Sequence, residues 1–127
     1  MAKKYAALDL LLAKKPVEQE VTIYAPGPDG STELVLLFRA IGSAAYDKLL
    51  ESSPPTRVQK EDGQSYDPNK FCPRLIAACS VEPKLTEEQA EQIWTSESWN
   101  RSEVSKLFSA AVEVCMAGAD PNPTVSG

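Results

Sequence analysis

The 127-residue chain contains no histidine. That absence removes the usual general base at neutral pH and the commonest zinc ligand, so hydrolytic triads and His-bearing metal sites are excluded. Positive charge is also short: 13 Lys and Arg stand against 18 Asp and Glu, for a formal net charge of −5. Phosphate binding draws its affinity from clustered cations, so nucleic acid is not an expected partner. No apolar run approaches the ~20 residues that span a bilayer. In the N-terminal "MAKKYAALDLLLAKKP", Asp9 interrupts the apolar stretch, Lys14 and Lys15 close it, and no small-residue cleavage site follows, which argues against a secretory signal. The expectation is a soluble intracellular protein without membrane attachment. The chain is 43% apolar, enough for one core and short for two.

The apolar pattern predicts an α+β fold, in which an N-terminal helix and a β-hairpin precede a mainly α-helical body. Tyr5, Leu8, Leu11 and Leu12 recur at helical spacing and make one stripe, suited to docking on the protein's own core or on a partner. After Pro16 the period shortens to two. Val17, Val21, Ile23 and Ala25 share one strand face; Glu18, Glu20, Thr22 and Tyr24 share the other. "PGPDG" turns the chain. The second strand carries Leu34, Leu36 and Phe38 on one face and Val35 and Leu37 on the opposite one. A lone hairpin cannot cover two apolar faces, so either the protein's own helices or a second chain must pack there.

From Gly42 onward the pattern predicts only helices and connectors. Ser43 is placed to cap a helix that carries Ala45, Tyr46, Leu49 and Leu50 inward, and "SSPP" stops it. Thr56 to Tyr66 is polar and aperiodic, and reads as a long mobile loop. Asp67 followed by Pro68 signals a helix start, with Phe71, Leu75, Ile76, Ala78 and Cys79 on its inner face to about Ser80. Thr86 with Gln89, and Asn100 with Glu103, are spaced as capping devices for two further helices. The last carries Val104, Leu107, Phe108, Ala111, Val112 and Cys115 as one stripe, ended by Gly118. One domain over 1–118 and a flexible tail over 119–127 are expected.

The chemistry-bearing residues assemble no recognisable catalytic motif. Cys72 and Cys79 are separated by ~10.5 Å of rise on one expected helix, too far for a disulfide, though Cys115 on another helix could approach one of them. Three thiols without histidine or a Cys-x-x-Cys pair read as buried packing groups in a reducing compartment. A reactive thiol needs a positive neighbour, and Lys70 and Arg74 are the nearest in sequence. Glu87 and Glu88 fall in the first turn of a helix, where the macrodipole favours them. The two helices around "WTSESWNR" outline a helix-turn-helix, but the second mixes Arg101 and Lys106 with Glu103 and Glu113, unlike a groove reader. Trp94 and Trp99 flank the corner, as a seal on the core or as partner anchors. No catalytic residue, metal ligand or cofactor is expected. A surface that holds another protein is what remains, and its candidate residues are Leu8, Leu11, Leu12, Val35, Leu37, Trp94 and Trp99.

Four stretches, "MAKKYAALDLLLAKKP", "LFRAIGSAAYDKLL", "FCPRLIAACSVEPKLT" and "IWTSESWNRSEVSKLFSAAVEVC", resemble the tail assembly chaperones of long-tailed bacteriophages, particularly those of actinobacterial hosts. The resemblance covers nearly the whole chain and rests on the "WTSESWNR" junction and the "AACSVEP" helix end, not on a catalytic signature. It implies a non-enzymatic factor of the infected cell's cytoplasm that binds the tape measure protein and keeps it soluble while tube protein polymerises around it. It also implies absence from the mature virion and a second, longer form made by ribosomal frameshifting, through which the tail tube protein would be a partner; the present chain corresponds to the short form. Self-association is a further expectation. The alternative is a structural virion protein of the tail or head-tail junction, and a thiol-dependent enzyme is a remote third.

Overall fold

The structure is a computed structural model that describes residues 5–27 and 30–116, the side chains of 25–32 excepted. Among these residues the chain forms α1 (Leu8–Leu12), β1 (Glu18–Gly27), β2 (Gly30–Arg39), α2 (Ser43–Glu51), α3 (Arg57–Glu61), α4 (Pro68–Cys79), β3 (Ser80–Glu82), α5 (Glu87–Thr95) and α6 (Arg101–Met116). The fold is α+β, a three-stranded antiparallel sheet in the order β1-β2-β3 with a helical body. The expected turn residues Pro28 and Asp29, the side chain of Ala25, the Gly118 stop and the 119–127 tail lie outside what is described.

Register explains which sheet face is covered. Val21 stands opposite Leu36 and Gln19 opposite Phe38. Val21, Ile23, Leu36 and Phe38 are all buried, because alternation sends them to one side, where α6 packs across β1 and β2. α4 lies beneath α6 and also contacts α2 and α5. The core is therefore built from the inner sheet face with Phe71, Leu75 and Ile76 of α4 and Leu107, Ala111 and Val114 of α6. Phe71 is its hub: Tyr46, Tyr66 and Phe108 meet its ring edge-on at centroid distances of 5.5, 5.0 and 6.1 Å.

The helix stripes are broader than periodicity alone predicts. α4 buries Cys72 and Ala77 as well as Phe71, Leu75, Ile76 and Cys79, whereas Ala78 is exposed. A helix covered on several sides buries a wide arc, and Ala78 falls on the one side left open. In α6 the buried positions are Val104, Leu107, Ala111 and Val114, with Phe108, Val112 and Cys115 half-buried. α2 turns Tyr46, Leu49 and Leu50 partly inward and leaves Ala45 exposed. Its N-cap is Gly42 in extended conformation, without a side-chain bond. Ser43 is itself the first helical residue, one position late to serve as the cap.

Two elements correct the sequence reading. The stretch from Thr56 to Tyr66 contains α3, nucleated by a capping box in which the Gln59 N–H donates to Thr56 Oγ1 (3.2 Å) and the Thr56 N–H donates to Gln59 Oε1 (2.9 Å). Gly63, with φ of 84°, follows in the left-handed region that glycine tolerates. β3 is a strand where only helix and connector were expected. Its Glu82 pairs with Leu37 and its Ser80 with Phe38, across an irregularity in register. Pro83 ends α4's continuation, and the extended residues before it take up hydrogen bonds on the exposed edge of β2.

Asp67 ties these connectors together. Its Oδ1 accepts from the Asn69 N–H (3.0 Å) and from Gln59 Nε2 (2.9 Å), so one buried carboxylate caps α4 and anchors α3. Asp67→Ala should lower stability by about 1–3 kcal/mol, and Asp67→Asn by less because an acceptor remains. Denaturant unfolding of the two variants checks this. Equal losses would show that the cap contributes little.

Candidate functional site

Among the described residues no three His, Cys, Asp or Glu side chains converge on a point that could hold a metal ion. No described helix is long and apolar enough to cross a membrane. What the surface offers is apolar side chains, placed on three elements.

The first is α1. It is five residues long, has no side-chain cap, and buries none of its residues. Leu8, Leu11 and Leu12 are 70%, 61% and 78% exposed, and Leu10 on the other side is exposed to a similar degree, 66%. A single helical turn is unstable in isolation, and leucines exposed all round gain nothing from water. The expected docking on the protein's own core does not occur. Each leucine fully buried against a partner contributes about 1.5–3 kcal/mol, so this turn is the largest store of unused apolar burial in the described chain.

The second is the outer face of the hairpin. Thr22 stands opposite Val35 and Glu20 opposite Leu37, and alternation turns all four away from the core. Val35 is 51% exposed and Leu37 is half-buried beside Glu82 of β3. At one end of the face, Arg39 donates through Nε and Nη2 to Glu18 Oε2 at 2.8 and 2.6 Å. At the other end Tyr24 lies open, with Lys106 Nζ 6.0 Å from its ring centre. Of the two apolar faces expected on β2, the inner is covered by the protein's own helices; nothing among the described residues buries Val35.

The third is the α5–α6 corner. Trp94 and Trp99 are half-buried, pack on the core, and with Arg101 and Val104 line a shallow hollow. The corner is held by a turn in which the Ser98 N–H donates to Ser96 Oγ (3.1 Å), and by reciprocal bonds between Asn100 and Glu103 at 2.9 Å. Thr86 and Gln89 form the same device at the start of α5, and Glu87 and Glu88 follow in its first turn. The two tryptophans are thus brought together, while the leucines of α1 and the pair Val35 and Leu37 form patches of their own.

Cys72 and Cys79 are buried, and Cys115 is half-buried. Burial pushes Cys72 up to about 12, with Asp67 adding to the shift and Arg101 opposing it. The cation that acts on it is Arg101 and neither Arg74 nor Lys70. Arg74 instead donates to the Ser52 carbonyl (2.7 Å), holding the end of α2. The apolar pattern does not single out the exposed Leu10, Val58 and Met116, whereas the exposed Tyr24 lies on the outer strand face where alternation puts it. The consecutive leucines of "LDLLL" carry a signal for Leu10, since a short run apolar on every side cannot be covered by one packing face. No family model, curated protein or solved structure matches this chain.

Proposed function

We propose that the chain is a non-enzymatic assembly chaperone that holds the tape measure protein of a long-tailed phage in solution while the tail tube assembles around it. The observation that carries this reading is α1, a leucine-rich turn with no buried residue on the described fold. The resemblance of the sequence to tail assembly chaperones supplies the client. Leu8, Leu11 and Leu12 would cover apolar stripes on the client, with Val35 and Leu37 as a second contact and the tryptophan corner as a third. Coverage replaces water against those stripes, and the net charge of −5 keeps the complex dispersed. Holding of this kind needs no nucleotide, since it works by binding alone. The host cytoplasm is the place of action. A frameshifted longer form would bring the tail tube protein to the same client.

A structural protein of the tail or head-tail junction is the competing reading. Mass-spectrometric quantification of purified particles of the encoding phage separates the two. A chaperone is absent or at trace level. A stoichiometric amount per particle makes the chain a virion component and removes the proposal.

A further inference from the structure

We infer that Cys79 and Cys115 form a thiol-exchange site that reacts with low-molecular-weight disulfides and closes into a reversible intrachain disulfide. Cys79 is the last residue of α4, and Cys115 lies in the last turn of α6. Their Sγ atoms are 3.6 Å apart and both thiols are free. A disulfide is about 2.05 Å long, so the two sulfurs need to approach by roughly 1.5 Å, within reach of small side-chain rotations at two helix ends. Cys72 has no such neighbour, being seven positions from Cys79 on the same helix.

The two sulfurs differ in access, and that assigns their order. Cys79 is fully buried, whereas Cys115 is partly exposed and lines two adjoining surface hollows of about 350 and 270 Å³ that share Ile41 and Cys115. One opens toward Lys14, Lys15 and Val17; the other toward Tyr46 and Met116. A small disulfide such as oxidised glutathione therefore meets Cys115 first, beside two lysines that favour an anionic reagent. The Cys115 thiolate attacks one sulfur of that disulfide, whose S–S bond breaks and releases one small thiolate. In the resulting mixed disulfide Cys79 loses its proton to the solvent or the departing thiolate and attacks Cys115 Sγ. The Cys79–Cys115 bond forms and the second small thiol leaves. Two protein thiols are oxidised by two electrons and one small disulfide is reduced to two thiols. Burial raises the Cys79 thiol, Cys115 adds to the shift and the Ile41 backbone N–H opposes it, so Cys79 stays protonated at neutral pH and is not the sulfur that attacks first.

The test treats the full chain with oxidised glutathione and reads intact mass, followed by peptide mapping without reduction. The expected product has lost two hydrogen masses, contains a Cys79–Cys115 linkage, reverts with dithiothreitol, and unfolds roughly 5–15 °C higher than the reduced chain. Cys79→Ser, or Cys79→Ala if the serine disturbs the core, should stop at one glutathionyl group on Cys115. Cys115→Ser should give neither adduct nor linkage, and Cys72→Ser should behave as wild type. An unchanged mass under conditions that oxidise the urea-unfolded chain overturns the inference. So does a linkage through Cys72, a disulfide-linked dimer as the main product, or an adduct that forms first on Cys72 or Cys79.

Discussion

Replacing Leu8, Leu11 and Leu12 together by serine should abolish binding to the tape measure protein and leave the thermal midpoint of the chain nearly unmoved. Both halves of that expectation come from α1. None of its residues is buried, so the described fold loses no packing when the leucines go, and surface changes of this kind stay within about 0.5 kcal/mol each. The same three side chains buried in a complex stabilise it by about 5–9 kcal/mol gross, of which ordering and association costs remove a part. A loss of affinity of at least about a hundredfold, equivalent to about 2.7 kcal/mol, is the expected net. Titration of the triple variant against immobilised client, beside a melting curve, gives both numbers. Binding within about threefold of wild type would remove α1 from the contact. A large drop in melting temperature would mean that α1 packs on its own fold after all.

The double change Val35→Glu with Leu37→Glu is the second large effect. Leu36 and Phe38 continue to fill the core between these positions, so the inner face is untouched. At position 37 the new carboxylate lies opposite Glu20 and next to Glu82, and like charges facing each other across strands destabilise. With the lost half-burial of Leu37 the cost should be about 2–3 kcal/mol, which a domain of ordinary stability survives. Association through this face, with client or with a second copy, should fall at least about tenfold, since a desolvated carboxylate without a partner is costly at an interface. Sedimentation velocity and client titration measure it. Val35→Glu alone, at a half-exposed site, keeps the test open if the double variant does not fold. A folded variant that self-associates and binds client as before would place the outer face in solvent.

The parts of the fold that were legible in the sequence are those whose cause is local. The capping pairs Thr86 with Gln89 and Asn100 with Glu103 sit at fixed spacing and are bonded accordingly, and the alternation of Val21, Ile23, Leu36 and Phe38 became the inner sheet face. Thr56 with Gln59 carries the same signal, but the polar, aperiodic residues after it hide a helix of one turn. β3 had no local signal at all. Ser80 to Glu82 is a strand because β2 offers an unpaired edge beside it, a fact of tertiary arrangement. The candidate site divides in the same way. That Val35 and Leu37 turn away from the core was legible because a two-faced strand shows its outer residues by alternation. That α1 would stand clear of the core was not, since a helical stripe fits its own fold as well as a partner.

Co-expression tests the central claim most directly. Produced alone, a long tape measure protein with apolar helical stripes should collect in the insoluble fraction; produced with this chain it should move to the soluble fraction and be recovered in a one-step pull-down without added nucleotide. The complex should survive moderate salt, because apolar contact is weakly screened where phosphate binding is strongly so. A tape measure protein that stays insoluble in the presence of both the short chain and any longer form would contradict the account.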